Sequence, residues 1–87
     1  MPKLIITAGA ITTAVRIKKT LNSLGDINAN VINTPSSINS GGCSYSVITD
    51  YKNLKLINEL SIEKKIKFKK LYTETNINGE LVYDVIS

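Results

Sequence analysis

Residues 3–8 read KLIITA, and this run decides which fold the rest of the chain can adopt. Leu4, Ile5 and Ile6 follow one another without a polar residue, so both faces of an extended segment would be apolar here. A strand that is apolar on both faces belongs in the middle of a sheet, where neighbouring elements cover it. We therefore expect a central β-strand over Lys3–Ala8.

A helix is predicted after this strand. Gly9 and Ala10 form a flexible connection between the strand and the helix. Thr12 or Thr13 can cap the helix by accepting a hydrogen bond from a backbone N–H. Gly25 is a natural left-handed terminator at the other end. Apolar residues near helical spacing would form the buried stripe: Ile11, Ala14, Val15, Leu21 and Leu24.

The middle of the chain predicts two strands on either side of a polar connection. Ile27–Asn33 alternates well enough for a second strand, and Pro35 ends it because proline cannot donate to a ladder. Residues 36–42 form the connection. Cys43–Thr49, with the sequence CSYSVIT, alternates as a third strand.

The last part of the chain predicts a second helix and two more strands. Asp50 is a good N-cap for a helix over 51–61, with a buried stripe at Leu54, Ile57 and Leu60. Ile66–Thr73 predicts a fourth strand. The dipeptide at 78–79 is Asn-Gly, a strong hairpin signal that leads into a fifth strand over Glu80–Ile86.

This order is β-α-β-β-α-β followed by one additional strand. It matches the split βαβ or ferredoxin-like arrangement of the α+β class, in which one face of an antiparallel sheet carries both helices. A chain of 87 residues suits one domain with a small core, and no linker suggests a second. We therefore predict a single domain over residues 1–87.

The composition excludes several classes of site. The single cysteine cannot form an intrachain disulfide, which agrees with a reducing cytoplasm. Because the chain has no histidine and only one cysteine, a structural zinc site within one chain is close to excluded. The absence of histidine also excludes a Cys–His hydrolase dyad. We expect no metal and no cofactor. No uncharged stretch is long and apolar enough for a membrane helix, and no secretory signal is recognisable, so we expect a cytoplasmic protein.

The only cysteine, Cys43, lies in a polar stretch over Thr34–Ser46 that reads TPSSINSGGCSYS. If strands one and two are parallel, this stretch returns to the end of the sheet where the first helix begins and the second helix finishes. A helix N-terminus and lysines favour a thiolate. Alternatively, Cys43 is a small buried hydrophobe. Besides Cys43, the candidate site therefore contains groups that can stabilise an anion: Thr12, Thr13, Gly41, Gly42, Ser44, Lys64 and Lys65.

A run of lysines over residues 64–70 gives the chain much of its net charge of +4. Lys67 and Lys69 alternate with Ile66 and Phe68, which is typical of the solvated face of an edge strand. The run could also be a docking surface for an acidic partner. Nucleic-acid binding ranks last, because the aromatic residues form no recognisable stacking motif.

Several short motifs resemble a family of small bacterial selenium/sulfur carrier-like proteins of unknown function. The motifs are Leu4-Ile-Ile-Thr7, then Thr12-Thr13-Ala14, Thr34-Pro35, and Ser40-Gly41-Gly42-Cys43. The similarity spans Lys3–Thr73, which defines a core of residues 3–73 and leaves residues 74–87 as a hairpin extension. Ser36-Ser37 and Ser44 depart from the family pattern, so the register of Cys43 against the family cysteine can differ by one residue.

This resemblance implies a carrier that holds a persulfide or selenide on Cys43. Its partners would be a sulfur donor such as a cysteine desulfurase and an acceptor enzyme. Formation of a homodimer is also compatible with this role. A carrier or binding protein is favoured over a stand-alone enzyme. Two alternatives remain: an interaction or regulatory module of ferredoxin-like fold, and a thiol redox sensor that forms an intermolecular disulfide through Cys43.

Overall fold

The computed structural model describes residues 2–39 and 45–86. Within these ranges the chain forms two α-helices, one 3-10 turn and a five-stranded sheet. In chain order the elements are β1 (Lys3–Thr7), α1 (Ile11–Ser23), β2 (Asn30–Asn33), β3 (Tyr45–Asp50), the 3-10 turn (Tyr51–Asn53), α2 (Leu54–Ile62), β4 (Lys70–Ile77) and β5 (Glu80–Val85).

The sheet has the strand order β2-β3-β1-β4-β5, and each neighbouring pair is antiparallel. β1 lies at the centre, as predicted from its apolar run. β1 and β2 are both antiparallel to β3, so they run parallel to each other with α1 as the crossover between them. This is the predicted ferredoxin-like α+β architecture, with β5 added beyond β4.

Both helices cover the same face of the sheet. Leu4 and Ile6 of β1 are fully buried and belong to one core cluster with residues of α1, α2 and the neighbouring strands. The helical members of this cluster are Ala14, Ile17, Leu21, Ile57 and Leu60. Ile5 has the opposite orientation, since side chains alternate along a strand. It is also fully buried, and its neighbours in the register are Ile48 and Tyr72.

Gly25 ends α1 as predicted. Its φ is +97°, and its N–H donates to the carbonyl of Asn22 at 3.1 Å. The N–H of Asp26 donates to the carbonyl of Leu21 at 3.0 Å. These two bonds form a Schellman motif, in which the left-handed residue directs the last free carbonyls of the helix to backbone donors.

The predicted start of β2 is wrong by three residues. The strand begins at Asn30 instead of Ile27, and Ile27 is 86% exposed. The reason is a local turn: the buried carboxylate of Asp26 accepts a bond from the N–H of Asn28 at 3.2 Å and another from the Thr49 hydroxyl. An Asp that bonds the amide two residues later stabilises a turn in place of an extended chain.

Asp50 does not cap the second helix, which is a second correction. Its carboxylate binds the Nζ of Lys3 at 2.6 Å and the Nδ2 of Asn28 at 2.8 Å, and it makes no cap bond to the following turn. The chain forms a 3-10 turn over 51–53 first, so α2 starts at Leu54. Its buried residues Ile57 and Leu60 confirm most of the predicted stripe, while Leu54 is half-buried.

The fourth strand also starts later than predicted, at Lys70 rather than Ile66. Residues 66–69 precede the strand, so the alternation of Lys67 and Lys69 with Ile66 and Phe68 is not that of an edge strand. Ile66 is buried in the core and Phe68 packs against it. Apolar residues that connect a helix to a sheet can therefore produce the same pattern as a strand.

The hairpin prediction is confirmed. Asn78 and Gly79 have φ values of +51° and +86° and join β4 to β5. Positive φ at both central residues is what the two-residue turn of this type requires. The last pair in the register is Ile77 with Glu80. The hairpin therefore extends the sheet past β4.

Candidate functional site at one end of the sheet

Four strand ends meet at one end of the sheet, which we call the Thr7 end. β1 finishes there at Thr7, which lies opposite Ser46 near the beginning of β3 and opposite Lys70 at the beginning of β4. β2 also finishes there, because Asn33 lies opposite Tyr45. The start of α1 follows β1, and the end of α2 leads into β4, so both helices have one terminus at this end.

Thr7 connects β4 firmly to the central strand. Its carbonyl oxygen accepts the N–H of Lys69 at 2.8 Å. Its Oγ1 accepts the N–H of Lys70 at 2.8 Å and donates to the carbonyl of Lys70 at 3.1 Å. Because one buried residue binds two successive amides, the lysine-rich segment before β4 is held in a defined position at the Thr7 end.

The start of α1 differs from the prediction. The N-cap is Ala10, whose carbonyl accepts the N–H of Ala14 at 3.1 Å, so Thr12 and Thr13 lie inside the first turn and are not caps. Thr12 is exposed and Thr13 is half-buried. Within the described residues no side chain caps this terminus, and the first turn has no acidic residue. The positive end of the helix dipole is therefore uncompensated by these residues.

The end of α2 is a second Schellman motif, with a lysine where glycine is usual. The N–H of Lys64 donates to the carbonyl of Ser61 at 3.0 Å, and the N–H of Lys65 donates to the carbonyl of Leu60 at 2.9 Å. Lys64 has a φ of +61°. A residue with a β-carbon is uncommon in this left-handed region, where glycine carries no steric penalty.

A pocket of about 200 Å³ opens between α1 and the segment that follows α2. We call it the basic pocket. It brings together three of the predicted site residues, Thr13, Lys64 and Lys65, which are far apart in the sequence. The described residues that line it are Thr13, Arg16, Ile17, Lys64, Lys65, Ile66 and Lys67. Thr12 is exposed at the start of α1 and is not part of this lining.

Two basic residues of the pocket were missed as site residues. Arg16 was not assigned to any site from the sequence, and Lys67 was interpreted as part of a solvated strand face. A signal for Arg16 exists in the sequence, because Arg16 follows Thr13 by one helical turn and therefore shares its face. Lys67 could be assigned only after the true start of β4 was known.

The predicted residues Cys43, Gly41, Gly42 and Ser44 lie outside the described residues. The described residues on both sides of that segment belong to the Thr7 end. The hydroxyls of Thr34 and Ser46 share a hydrogen bond of 2.6 Å, and both side chains are buried. A turn follows Thr34, with the N–H of Ile38 donating to the carbonyl of Pro35 at 3.1 Å.

Two ionisable groups away from the basic pocket have shifted pKa values. Hydrogen bonds from Lys3 and Asn28 lower the pKa of Asp50, at the opposite end of the sheet from Thr7. Partial burial raises the pKa of Tyr83 to about 12, and the nearby Glu74 carboxylate adds to this effect. The Tyr83 hydroxyl donates to Glu74 Oε2 at 2.7 Å across β4 and β5. Both pKa shifts therefore involve hydrogen bonds between structural elements outside the basic pocket.

Two other features are absent from the described ranges 2–39 and 45–86. In these ranges no three His, Cys, Asp or Glu side chains lie close enough together to hold a metal ion. Neither helix in the same ranges has the length and apolar character to cross a membrane.

Comparison with known proteins identifies a family but no individual relative. No curated protein and no solved structure matches the chain significantly. Residues 3–73 match the model of a protein family described as "Putative Se/S carrier protein-like". The matched residues run from the start of β1 into β4 and include the whole Thr7 end. They also include residue 43, the only cysteine. Because the match covers most of the 87 residues, the chain belongs to this Se/S carrier-like family.

Proposed function

We propose that the protein carries sulfur or selenium on Cys43, as a persulfide or its selenium analogue, and delivers it to a partner enzyme. The observation that carries the proposal is the family match over residues 3–73, which contains the only cysteine of the chain. Covalent carriage on sulfur requires a thiol. With one cysteine available, Cys43 is the one residue able to supply it.

The loading step is a thiol exchange that needs no external oxidant. The Cys43 thiolate attacks the terminal sulfur of a persulfide on the donor, such as a cysteine desulfurase. A new S–S bond forms on Cys43 as the donor's S–S bond breaks, and the donor cysteine leaves as a thiolate. In the delivery step an acceptor nucleophile takes the terminal sulfur, and Cys43 returns to its thiolate form.

Both steps depend on anionic sulfur, because a free cysteine has a pKa of about 8.5 and is mostly protonated at neutral pH. Positive potential at the Thr7 end comes from Lys64 and Lys65 of the basic pocket and from the N-terminus of α1, which no described side chain caps. Such groups favour a thiolate and a per-sulfur anion. In this proposal the Gly41 and Gly42 amides and the Ser44 hydroxyl approach the same anion.

A carrier-like family implies protein partners in general. The specific donor and acceptor, location in the cytoplasm and assembly into a homodimer are parts of the proposal. Mass spectrometry tests its central part. The protein is incubated with a cysteine desulfurase and cysteine, and a mass increase of one sulfur atom per chain is expected. The increase must be lost in Cys43→Ser and on treatment with a thiol reductant. An unmodified wild-type chain under conditions that load a known acceptor would contradict the proposal.

An interaction module is the second candidate, favoured by the exposed hairpin. Ile77, Leu81 and Val85 are each more than half exposed on β4 and β5. Exposed apolar side chains on and beside the edge strand β5 favour pairing with another chain. Size-exclusion chromatography with light scattering compares wild-type protein with Leu81→Lys. A wild-type dimer that the variant dissociates, together with an unloaded Cys43, would support this candidate over the carrier.

A thiol sensor remains the third prediction. It requires oxidation of Cys43 and an intermolecular disulfide in place of a persulfide. Non-reducing electrophoresis after mild peroxide treatment distinguishes it from the carrier. A reducible dimer that is absent in Cys43→Ser, with no sulfur adduct in the desulfurase experiment, would favour the sensor.

A further inference from the structure

We propose that the basic pocket binds a small tetrahedral oxyanion: phosphate, sulfate, or the same group on a small ester. The pocket lies between α1 and the segment that follows α2, and the lining residues that carry the proposal are all described. The proposal goes beyond sulfur carriage, because it uses no thiol and holds whether or not Cys43 is loaded.

The charge of the pocket is one-sided. Four cationic side chains line it: Arg16, Lys64, Lys65 and Lys67. No acidic side chain is among the seven lining residues. Glu63 reaches Lys65 at 3.7 Å, but both side chains are more than half exposed, so this ion pair is weak. An anion in the pocket would therefore meet four positive groups and little competition from acidic side chains.

The volume and the lining of the pocket fit one small anionic group. At about 200 Å³ it is smaller than the ~300–1,000 Å³ of sites that enclose drug-sized ligands. Two of its lining residues, Ile17 and Ile66, are buried and apolar, while the four cationic residues are exposed. The Thr13 hydroxyl adds a neutral donor. This combination suits one phosphate or sulfate group better than a nucleotide.

The backbone at Lys64 gives a separate reason. Lys64 holds φ +61° at the position in α2 that Gly25 occupies, at φ +97°, in α1. Glycine would adopt this conformation without steric penalty. The chain instead has a cationic side chain at the edge of the basic pocket. Unfavourable backbone conformations of this kind concentrate at functional sites.

Titration followed by two-dimensional amide NMR tests the proposal. The full chain is titrated with inorganic phosphate, sulfate, glycerol 3-phosphate or acetate, with chloride adjusted to constant ionic strength. We expect saturable shifts at the amides of Thr13, Ile17 and Ile66 with the first three anions. Comparing the affinity for inorganic phosphate with that for glycerol 3-phosphate distinguishes a site for the free ion from a site for a phosphate ester. Acetate tells whether a carboxylate suffices, and equal affinity for acetate would overturn the tetrahedral assignment.

Charge-matched variants show whether the pocket or the net charge is responsible. Arg16→Gln and Lys65→Gln each remove one pocket cation and should weaken phosphate binding about fivefold or more. Lys19→Gln on α1 and Lys55→Gln on α2 remove the same charge from exposed positions outside the pocket lining. Their phosphate affinity should stay near that of the wild type, and thermal unfolding verifies that all four variants are folded.

Two results would overturn the proposal. One is an absence of saturable shifts at the pocket amides. The other is an equal loss of phosphate affinity in the pocket variants and in the two controls. That result would mean that phosphate responds to the net charge of the protein and not to the pocket. The titration is repeated on Cys43→Ser. Phosphate binding that survives in this variant separates the anion site from sulfur carriage, so that either idea can fail alone.

Discussion

The side chains of Thr34 and Ser46 share a buried hydrogen bond of 2.6 Å, and these two residues flank the segment that contains Cys43. Thr34 follows the end of β2, and Ser46 lies near the start of β3. The bond therefore fixes both sides of the cysteine-bearing connection to the Thr7 end of the sheet. Neither residue was singled out as functional from the sequence, although Thr34 belongs to the Thr-Pro motif of the family.

Removing both partners of this bond should destabilise the protein by less than the sum of the two single losses. Thr34→Val and Ser46→Ala each leave a buried hydroxyl without its partner, at a typical cost of about 1–3 kcal/mol. The double variant leaves neither hydroxyl, so its loss should be less than the sum of the two. Urea unfolding of the four proteins in a double-mutant cycle measures this coupling. Strictly additive losses would show that the two hydroxyls do not interact.

Lys64→Gly should stabilise the fold. Glycine removes the steric cost of the left-handed conformation, which is about 1–2 kcal/mol for a residue with a β-carbon, and part of that gain is offset by the greater entropy of glycine in the unfolded chain. We expect a net gain of about 0.5–1 kcal/mol. Lys65→Gly is the control, because Lys65 is not among the positive-φ residues and glycine there should be neutral or destabilising.

The reciprocal change at α1 should have the opposite sign. Gly25 has φ +97°, and a β-carbon built on it meets no atom within 4 Å. Gly25→Ala therefore creates no clash with neighbours, and its cost is the left-handed backbone conformation, about 1–2 kcal/mol. Part of this cost is offset because alanine has less entropy than glycine in the unfolded chain, so we expect a net loss of about 0.5–1 kcal/mol. A decrease in the midpoint of urea unfolding is expected. An unchanged or higher midpoint would mean that the helix end can adjust its backbone freely.

Tyr83 should make stability depend on pH in the alkaline range. Its pKa is raised from 10.0 to about 12 in the folded protein, so folding favours the protonated phenol. This contribution is complete below pH 10.0, declines as pH rises through the window, and is lost above about pH 12. Tyr83→Phe removes it. The unfolding free energy of wild type minus that of the variant should therefore fall across this window, whereas a constant difference would contradict the assignment.

The thiol of Cys43 should have a pKa below the reference value of about 8.5 if the carrier proposal holds. Alkylation rate against pH measures it. Changing Lys64 and Lys65 together to glutamine should raise this pKa by about half a pH unit, the size expected from exposed charges. Lys19→Gln with Lys55→Gln is the matched control for net charge. Slow alkylation of the folded wild type would instead favour a buried cysteine.

Local sequence patterns were sufficient to predict those elements and turns whose structure depends on residues adjacent in the sequence. The apolar run KLIITA predicted a central strand, and β1 lies between β3 and β4. Gly25 and the Asn-Gly pair at 78–79 predicted a helix end and a hairpin, and all three residues have positive φ. These features follow from hydrophobic periodicity and from the conformational range of single residues, both of which can be recognised without tertiary contacts.

Long-range contacts decided where the remaining elements begin. Asp50 was predicted as a helix cap from its position, but its carboxylate binds Lys3 and Asn28, which are distant in sequence. β4 starts at Lys70 because Thr7 of the central strand binds the amides of Lys69 and Lys70. No local pattern contains these partners, so element starts were the least accurate part of the prediction.

The candidate site shows the same division. From the sequence alone, the order of elements and the resemblance around Cys43 determined the family and the end of the sheet to consider. Only the tertiary structure placed Arg16 and Lys67 in one pocket with Thr13, Lys64 and Lys65. A pocket is formed by side chains from separate elements. Its members are therefore decided by how α1 packs beside the end of α2, a relationship that no single stretch of sequence encodes.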